Sequence, residues 1–343
     1  MNKFKIILVV LLSVFITACF PSNNSGKEEI LLQGRTMGTT YNIKVVATVE
    51  QVENLDLQEK IESVLKKVNQ EMSTYISESE ISRFNKSQSV EPIEVSEGFS
   101  RVLAESIRLC KLSGGKLDIT VGPLVNLWGF GPEYRVEKVP SIEVLEKTRM
   151  RVGLKNIHLE GNQLKKDIPD LYIDLSTTAK GYGVDVVAEL IEANGISNYL
   201  VEIGGEMRLK GFKHTGELWA VAIEKPIFDP LGDHRAIQQV IIPKDNAVAT
   251  AGDYRIYFEE NGQRFSHIID PDTGKPINHN LVSVTVIAPS SMTADGLSTA
   301  MMVMGMEKGM QFATDNNLAA LFITKTDNGF DERFTVNFKQ YLK

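Results

Sequence analysis

LVSVTVIAPSSMTADGLSTAMMVMG, residues 281–305, reads as a strand that runs into a helix. Leu281 to Ala288 is apolar and rich in β-branched residues, with Val282, Val284 and Val286 on one face of a period-two repeat. A helix starts at about Thr293, is interrupted at Gly305 and resumes to about Thr314. Beyond it, Leu318 to Thr324 and Arg333 to Phe338 are candidate closing strands. Upstream, Leu218 to Ile223, Gln238 to Ile242 and Arg255 to Phe258 read as further strands. Thr177 to Asn194 is a helix closed by Gly195, and Asn198 to Ile203 is the strand expected after it. Asp56 to Met72 places Leu57, Ile61, Val64, Leu65, Val68 and Met72 on one face, and Ser96 to Cys110 repeats that pattern until Gly114-Gly115 ends it. A short helix is expected from Pro140-Ser141, and Thr39 to Val49 is the first strand expected. Helices and strands follow one another without a βαβ rhythm. The class this predicts is α+β, with mixed, mostly antiparallel sheets and packed helices.

The N-terminus carries a separate message. Lys3 and Lys5 precede an apolar run from Ile6 to Ile16, and Thr17-Ala18-Cys19 follows, which is the pattern of an export signal. The run falls short of the ~20 residues of a permanent span. Ile16-Thr17-Ala18-Cys19 is similar to the bacterial lipobox, so residues 1–18 are expected to be removed and Cys19 acylated; an ordinary secretory peptide is the alternative. Residues 19–30, with Pro21 to Gly26, then read as a tether, and 31–343 as the folded domain. With Cys19 acylated, Cys110 is the only other thiol, which excludes an intramolecular disulfide. The composition, 43% apolar and 24% charged, is that of a globular protein. A net charge of -7 without a basic stripe argues against a nucleic-acid partner.

Several groups could carry chemistry. Asp295 and Thr299 lie four apart at the start of an apolar helix and share a face. Their hard oxygens suit Mg²⁺, although a helix-start charge and an i−4 hydrogen bond would give the same spacing. In Asp174-Leu175-Ser176-Thr177-Thr178-Ala179-Lys180-Gly181, a lysine and exposed N–H groups at a helix start could hold phosphates; a capped helix with a solvent-facing Lys180 reads the same way. His267 sits between a strand-like run and a Pro/Gly turn, where an imidazole could take a proton or be structural. Gly204-Gly205, followed by Glu206, mark a tight turn or a close approach to a ligand. Tyr75 and Trp128 are stacking or core aromatics. No Gly-x-Ser-x-Gly elbow, Walker loop or zinc cluster is present.

Taken in order, the motifs resemble those of the ApbE family, the FAD:protein FMN transferases, over nearly all of the mature chain. The matching pieces are Met37-Gly38-Thr39-Thr40-Tyr41, Met72-Ser73-Thr74-Tyr75, Leu117-Asp118-Ile119-Thr120-Val121-Gly122-Pro123, Ala179-Lys180-Gly181-Tyr182, Glu202-Ile203-Gly204-Gly205-Glu206, Ala249-Thr250-Ala251-Gly252-Asp253 and Ser266-His267-Ile268-Ile269-Asp270-Pro271. The resemblance implies a flavin cleft in which Met37, Tyr75, Lys116, Leu117, Asp118, Asp174, Lys180 and Ile269 contact FAD. It implies that Thr177, Asp295 and Thr299 hold Mg²⁺ and that His267 activates the acceptor. The implied reaction moves the FMN half of FAD to a threonine of a partner protein and releases AMP. Implied partners are flavin-acceptor subunits of sodium-pumping quinone reductase or Rnf-type membrane complexes, met on the periplasmic side of the inner membrane. Ala251 stands where the family commonly has serine, which removes one possible hydrogen bond. An FAD pyrophosphatase using water as acceptor, or a non-catalytic flavin-binding lipoprotein, would use the same cleft.

Overall fold

The computed structural model describes residues 26–132, 138–227 and 236–343. The expected signal at 1–18 and Cys19 lie outside the described residues. Eight strands form the main sheet: β1 Glu28–Thr36, β2 Thr39–Ala47, β3 Tyr199–Ile203, β4 Glu206–Lys210, β5 Ala247–Gly252, β6 Leu281–Ala288, β7 Ala319–Thr326 and β8 Gly329–Phe334. Neighbours in space follow the chain order of these strands, and every pairing is antiparallel. The α+β class is therefore the observed one.

Helices cover one face of the sheet. α1 Leu57–Met72 and α3 Ser176–Ala193 bury Leu57, Ile61 and Leu65, and Val184, Val187 and Ile191, against Ile43, Val45, Val201 and Ile203 of β2 and β3. α4 Ser291–Met304 and α5 Met306–Asp315 cover β5 to β7, with Leu297, Ala300 and Met301 on Val284, Val286 and Phe322. α2 Glu97–Leu112 sends Leu109 into the same cluster. On the opposite face, Trp219, Val221, Ile223, Ile241 and Phe338 cover Leu209, Val248, Ile287, Leu321 and Ile323. Both faces of β6 are thus covered and all eight of its residues are buried.

Three expectations shift. Thr39 to Val49 is the second strand of the sheet, because β1 precedes it and begins at Glu28, inside the stretch read as tether. Val282 leaves the face of Val284 and Val286 and joins Ile287 in the opposite cluster. The cause is a bulge, since Leu281 and Ser283 oppose consecutive residues Thr324 and Ile323 and Val282 is the extra residue. The last strand is Gly329–Phe334, earlier than Arg333 to Phe338, where the chain turns into a 3₁₀ segment, Val336–Tyr341, that buries Phe338.

Two contacts fix α4 against α3, and both begin with small or acidic residues of α3. Gly181 lies so close to α4 that a Cβ there would sit 2.4 Å from the Ser291 carbonyl oxygen. Asp185, only 1% exposed, accepts from the Ser290 hydroxyl at 2.7 Å and from the backbone N–H of Ser291 and Met292 at 3.0 Å each. It also pairs with Arg208 of β4 at 3.1 Å. A carboxylate from one helix thereby satisfies the orphan N–H groups of the next and complements its dipole. Removing a partner from a buried charged set of this kind costs about 3–5 kcal/mol.

Candidate active site

A cleft of about 820 Å³ opens where the N-terminal turns of α3 and α4 meet the β3–β4 turn and the segment around His267. Its volume lies within the range of about 300–1,000 Å³ usual for small-molecule sites. Met37, Tyr75, Lys116, Leu117, Asp118, Asp174, Thr177, Lys180, His267, Ile269, Asp295 and Thr299 all line it. Every residue expected at the site, Cys19 apart, is thus brought to one cavity.

One end of the cleft is built from α3 and α4. Asp295, 6% exposed, accepts from the Gly181 N–H at 3.1 Å, a reach possible because Gly181 has no side chain. Burial, then the nearby Glu206 carboxylate, push the Asp295 carboxyl well above its usual range, while Lys180 opposes them. A carboxylate held in that state gains from any cation placed beside it. Thr177 Oγ1 is buried and has no hydrogen-bond partner among the described residues. Thr299 stands one turn beyond Asp295 on α4, with both side chains at the cleft. Among the described residues no group of three or more His, Cys, Asp or Glu is set for a metal. One carboxylate and two threonine hydroxyls fit a different kind of ion, a hard cation that keeps positions for water and substrate phosphate. The orphaned Thr177 oxygen is what makes the donor set fit Mg²⁺.

Lys180 does not point to open solvent. Its Nζ lies 2.6 Å from Glu206 Oε2, and Glu206 is 3% exposed. Burial lowers the Lys180 pKa, but Glu206 and Asp295 more than offset it and hold the ammonium above its usual range. Glu206 starts β4 directly after Gly204 and Gly205, whose φ values of 58° and 106° make the turn. Sequence reading saw the turn but gave Glu206 no role. A glutamate after a hairpin turn looks solvent-facing, and only the fold brings it to Lys180.

At the other end, His267 is partly exposed and lies between the strand Gln263–Ser266 and Ile269. Its Nδ1 sits 3.1 Å from the Ile256 carbonyl oxygen, which can only accept. Nδ1 therefore carries the hydrogen, and Nε2 is left as the acceptor. Burial, helped by the Lys180 and Arg264 charges, lowers the imidazole pKa despite that bond. The ring is neutral at pH 7 and competent to take a proton.

The remaining positions form walls. Lys116 is tied to Asp270 at 3.0 Å and Asp272 at 2.7 Å, which fixes the turn after His267. Asp118 accepts from the Thr120 N–H and hydroxyl, and Asp174 caps the Ser176 N–H. Met37, at φ 50°, borders the cleft with its methyl group packed where a Gly183 Cβ would lie. Ile269 and Leu117 are buried beneath it. Tyr75 is 74% exposed at the rim, free to stack, whereas Trp128 is core: it stacks on Phe265 and donates to the Gly274 carbonyl at 2.9 Å.

Comparison with known proteins points the same way. The family model described as "ApbE family" matches residues 37–322. The FAD:protein FMN transferase of Vibrio cholerae is 54% identical over 315 residues, covering 92% of this chain and 93% of the relative. The FAD:protein FMN transferase of Haemophilus influenzae is 49% identical over 345 residues, covering 97% and 96%. The solved flavin transferase ApbE from Vibrio cholerae superposes with a TM-score of 0.85 at 52% identity, over 92% of this chain and all of that one.

Proposed function

The chain belongs to the ApbE family, and from that premise we propose that it is an FAD:protein FMN transferase. In this reading the acceptor is a threonine hydroxyl of a partner protein. The hydroxyl oxygen forms a bond to the FMN phosphorus as the phosphoanhydride bond to AMP breaks, and a phosphoester results.

His267 takes the hydroxyl proton on Nε2, since Nδ1–H is committed to the Ile256 carbonyl. Lys180 offsets negative charge on the pyrophosphate. Thr177, Asp295 and Thr299 would hold Mg²⁺, which when bound neutralises phosphate charge and polarises the phosphorus. Met37, Tyr75, Lys116, Leu117, Asp118, Asp174 and Ile269 are the walls that orient the dinucleotide. The observation that carries the reading is the convergence of the unpartnered Thr177 oxygen, Asp295, Lys180 and His267 on one cleft.

We also place the protein outside the cytosol, with Cys19 acylated and the acceptors among membrane redox subunits of the quinone-reductase or Rnf type. Support for this is the basic, apolar and small-residue order of residues 3–19. No helix among the described residues is long and apolar enough to cross a membrane.

The test is mass spectrometry of a threonine-bearing acceptor subunit after incubation with the protein, FAD and Mg²⁺. An added FMN mass on the acceptor, with AMP in solution, is expected. Release of AMP and free FMN with the acceptor unmodified would replace transfer by FAD hydrolysis. Tight FAD binding without turnover would leave only a flavin-presenting lipoprotein.

A further inference from the structure

Glu206 is a buried carboxylate to which the reaction above gives no part. It is held there by design of the turn. Gly204 lets the lysine stem cross the hairpin, because a Cβ at that position would lie 3.3 Å from Lys180 Cδ and 2.8 Å from Thr39 Cγ2. Glu206 Oε2 lies 2.6 Å from the Lys180 ammonium, an ion pair reaching into the buried side of the turn. Asp295 adds a second buried carboxylate to the same cluster. Two acidic groups thus face one ammonium at the place read as receiving a pyrophosphate.

We infer that Glu206 is a charge-balancing residue: by cancelling Lys180 it keeps the cleft from binding a dinucleotide pyrophosphate until a divalent cation is present. A lysine alone at a phosphate site would recruit any nucleotide, metal or none. With Glu206 in place, the charge of Lys180 is already balanced, so the cluster without metal offers little attraction to added negative charge, and affinity comes with the cation. Binding order and metal dependence would then be properties of this ion pair. The inference rests on the flavin-and-metal reading of the cleft.

Calorimetric titration of FAD into the full chain, once with Mg²⁺ and once with EDTA, tests it without turnover. For the unaltered protein, affinity is expected to be far higher with Mg²⁺. In Glu206→Gln, affinity in EDTA should rise by at least about tenfold, so that the Mg²⁺-to-EDTA ratio shrinks. Adding Lys180→Met to that variant should abolish the gain, and Glu206→Asp, which keeps the charge, should hold the ratio near its original value. A purely structural Glu206 would instead weaken binding by a similar factor in both conditions, which overturns the inference, as does an unchanged ratio. Melting curves establish that each variant is folded, and Glu206→Ala serves the same comparison should the glutamine form not fold. Absence of FAD binding by the unaltered protein with Mg²⁺ would overturn the flavin reading itself, a result distinct from failure of the Glu206 role.

Discussion

In the proposed reaction Asp295 serves the phosphates and His267 the attacking hydroxyl. Asp295→Ala deletes the only carboxylate in the proposed metal set. Mg²⁺-dependent transfer, followed by acceptor mass, should fall at least about a hundredfold; full activity of this variant under chelation would contradict the scheme. For His267 the sign follows from its environment. Its pKa lies below the ordinary imidazole value, so the neutral base predominates at pH 7 and is lost as pH falls through that lowered value. The transfer rate should be level from about pH 7 upward and decline only below the usual imidazole range, and His267→Gln should lose both the decline and about 10²–10⁴ of the rate. Spacing alone could not have separated these roles from helix capping or a structural histidine. What distinguishes Thr177 is an oxygen left without a hydrogen-bond partner among the described residues, and what brings Asp295 to the same helix is a contact with Gly181 more than a hundred positions away.

Among the elements, the junction of α3 and α4 sets the accuracy of the site. Gly181→Ala forces a methyl group onto backbone atoms, with Ser291 O at 2.4 Å and Met292 Cα at 2.7 Å, and neither can swing aside. The expected cost is about 1–3 kcal/mol, read as a lower denaturant midpoint at unchanged slope, together with weaker Mg²⁺ dependence because the displaced helices draw the backbone N–H of position 181 away from Asp295. Both helices were legible in the sequence from runs of residues closed or interrupted by a glycine, Gly195 and Gly305. β1 was not. Of its nine residues only Leu32 and Thr36 are buried, so no period-two signal exists, and its identity comes from its pairing with β2 at the sheet edge. β8 escaped for the same reason: GFDERF has no fully buried residue, while Phe338 beyond it supplied an apolar signal that belongs to a 3₁₀ turn. The Val282 bulge is invisible in a sequence that alternates without fault.

For the molecule as a whole, the cleft is lined from segments spread between Met37 and Val303, so a bound ligand draws on most of the fold. FAD with Mg²⁺ should therefore raise the melting temperature of the entire chain in one transition. At a hundredfold excess over Kd the added stability is about 2.7 kcal/mol, and EDTA should remove it; a shift that survives EDTA would argue against a metal-dependent complex. The sequence carried the class of the fold through its helix and strand periods, and the site through motifs scattered along the chain. It could not carry the distances among them.

Strand β1 begins at Glu28, nine Cα-to-Cα steps after Cys19, so in the proposed acylated form those nine steps would set the reach of the folded body. Nine residues of chain span at most about 30 Å. A body so anchored would patrol the surface with a short radius of action, servicing hydroxyls displayed close to the lipid headgroups and missing the same motif carried farther into the aqueous compartment.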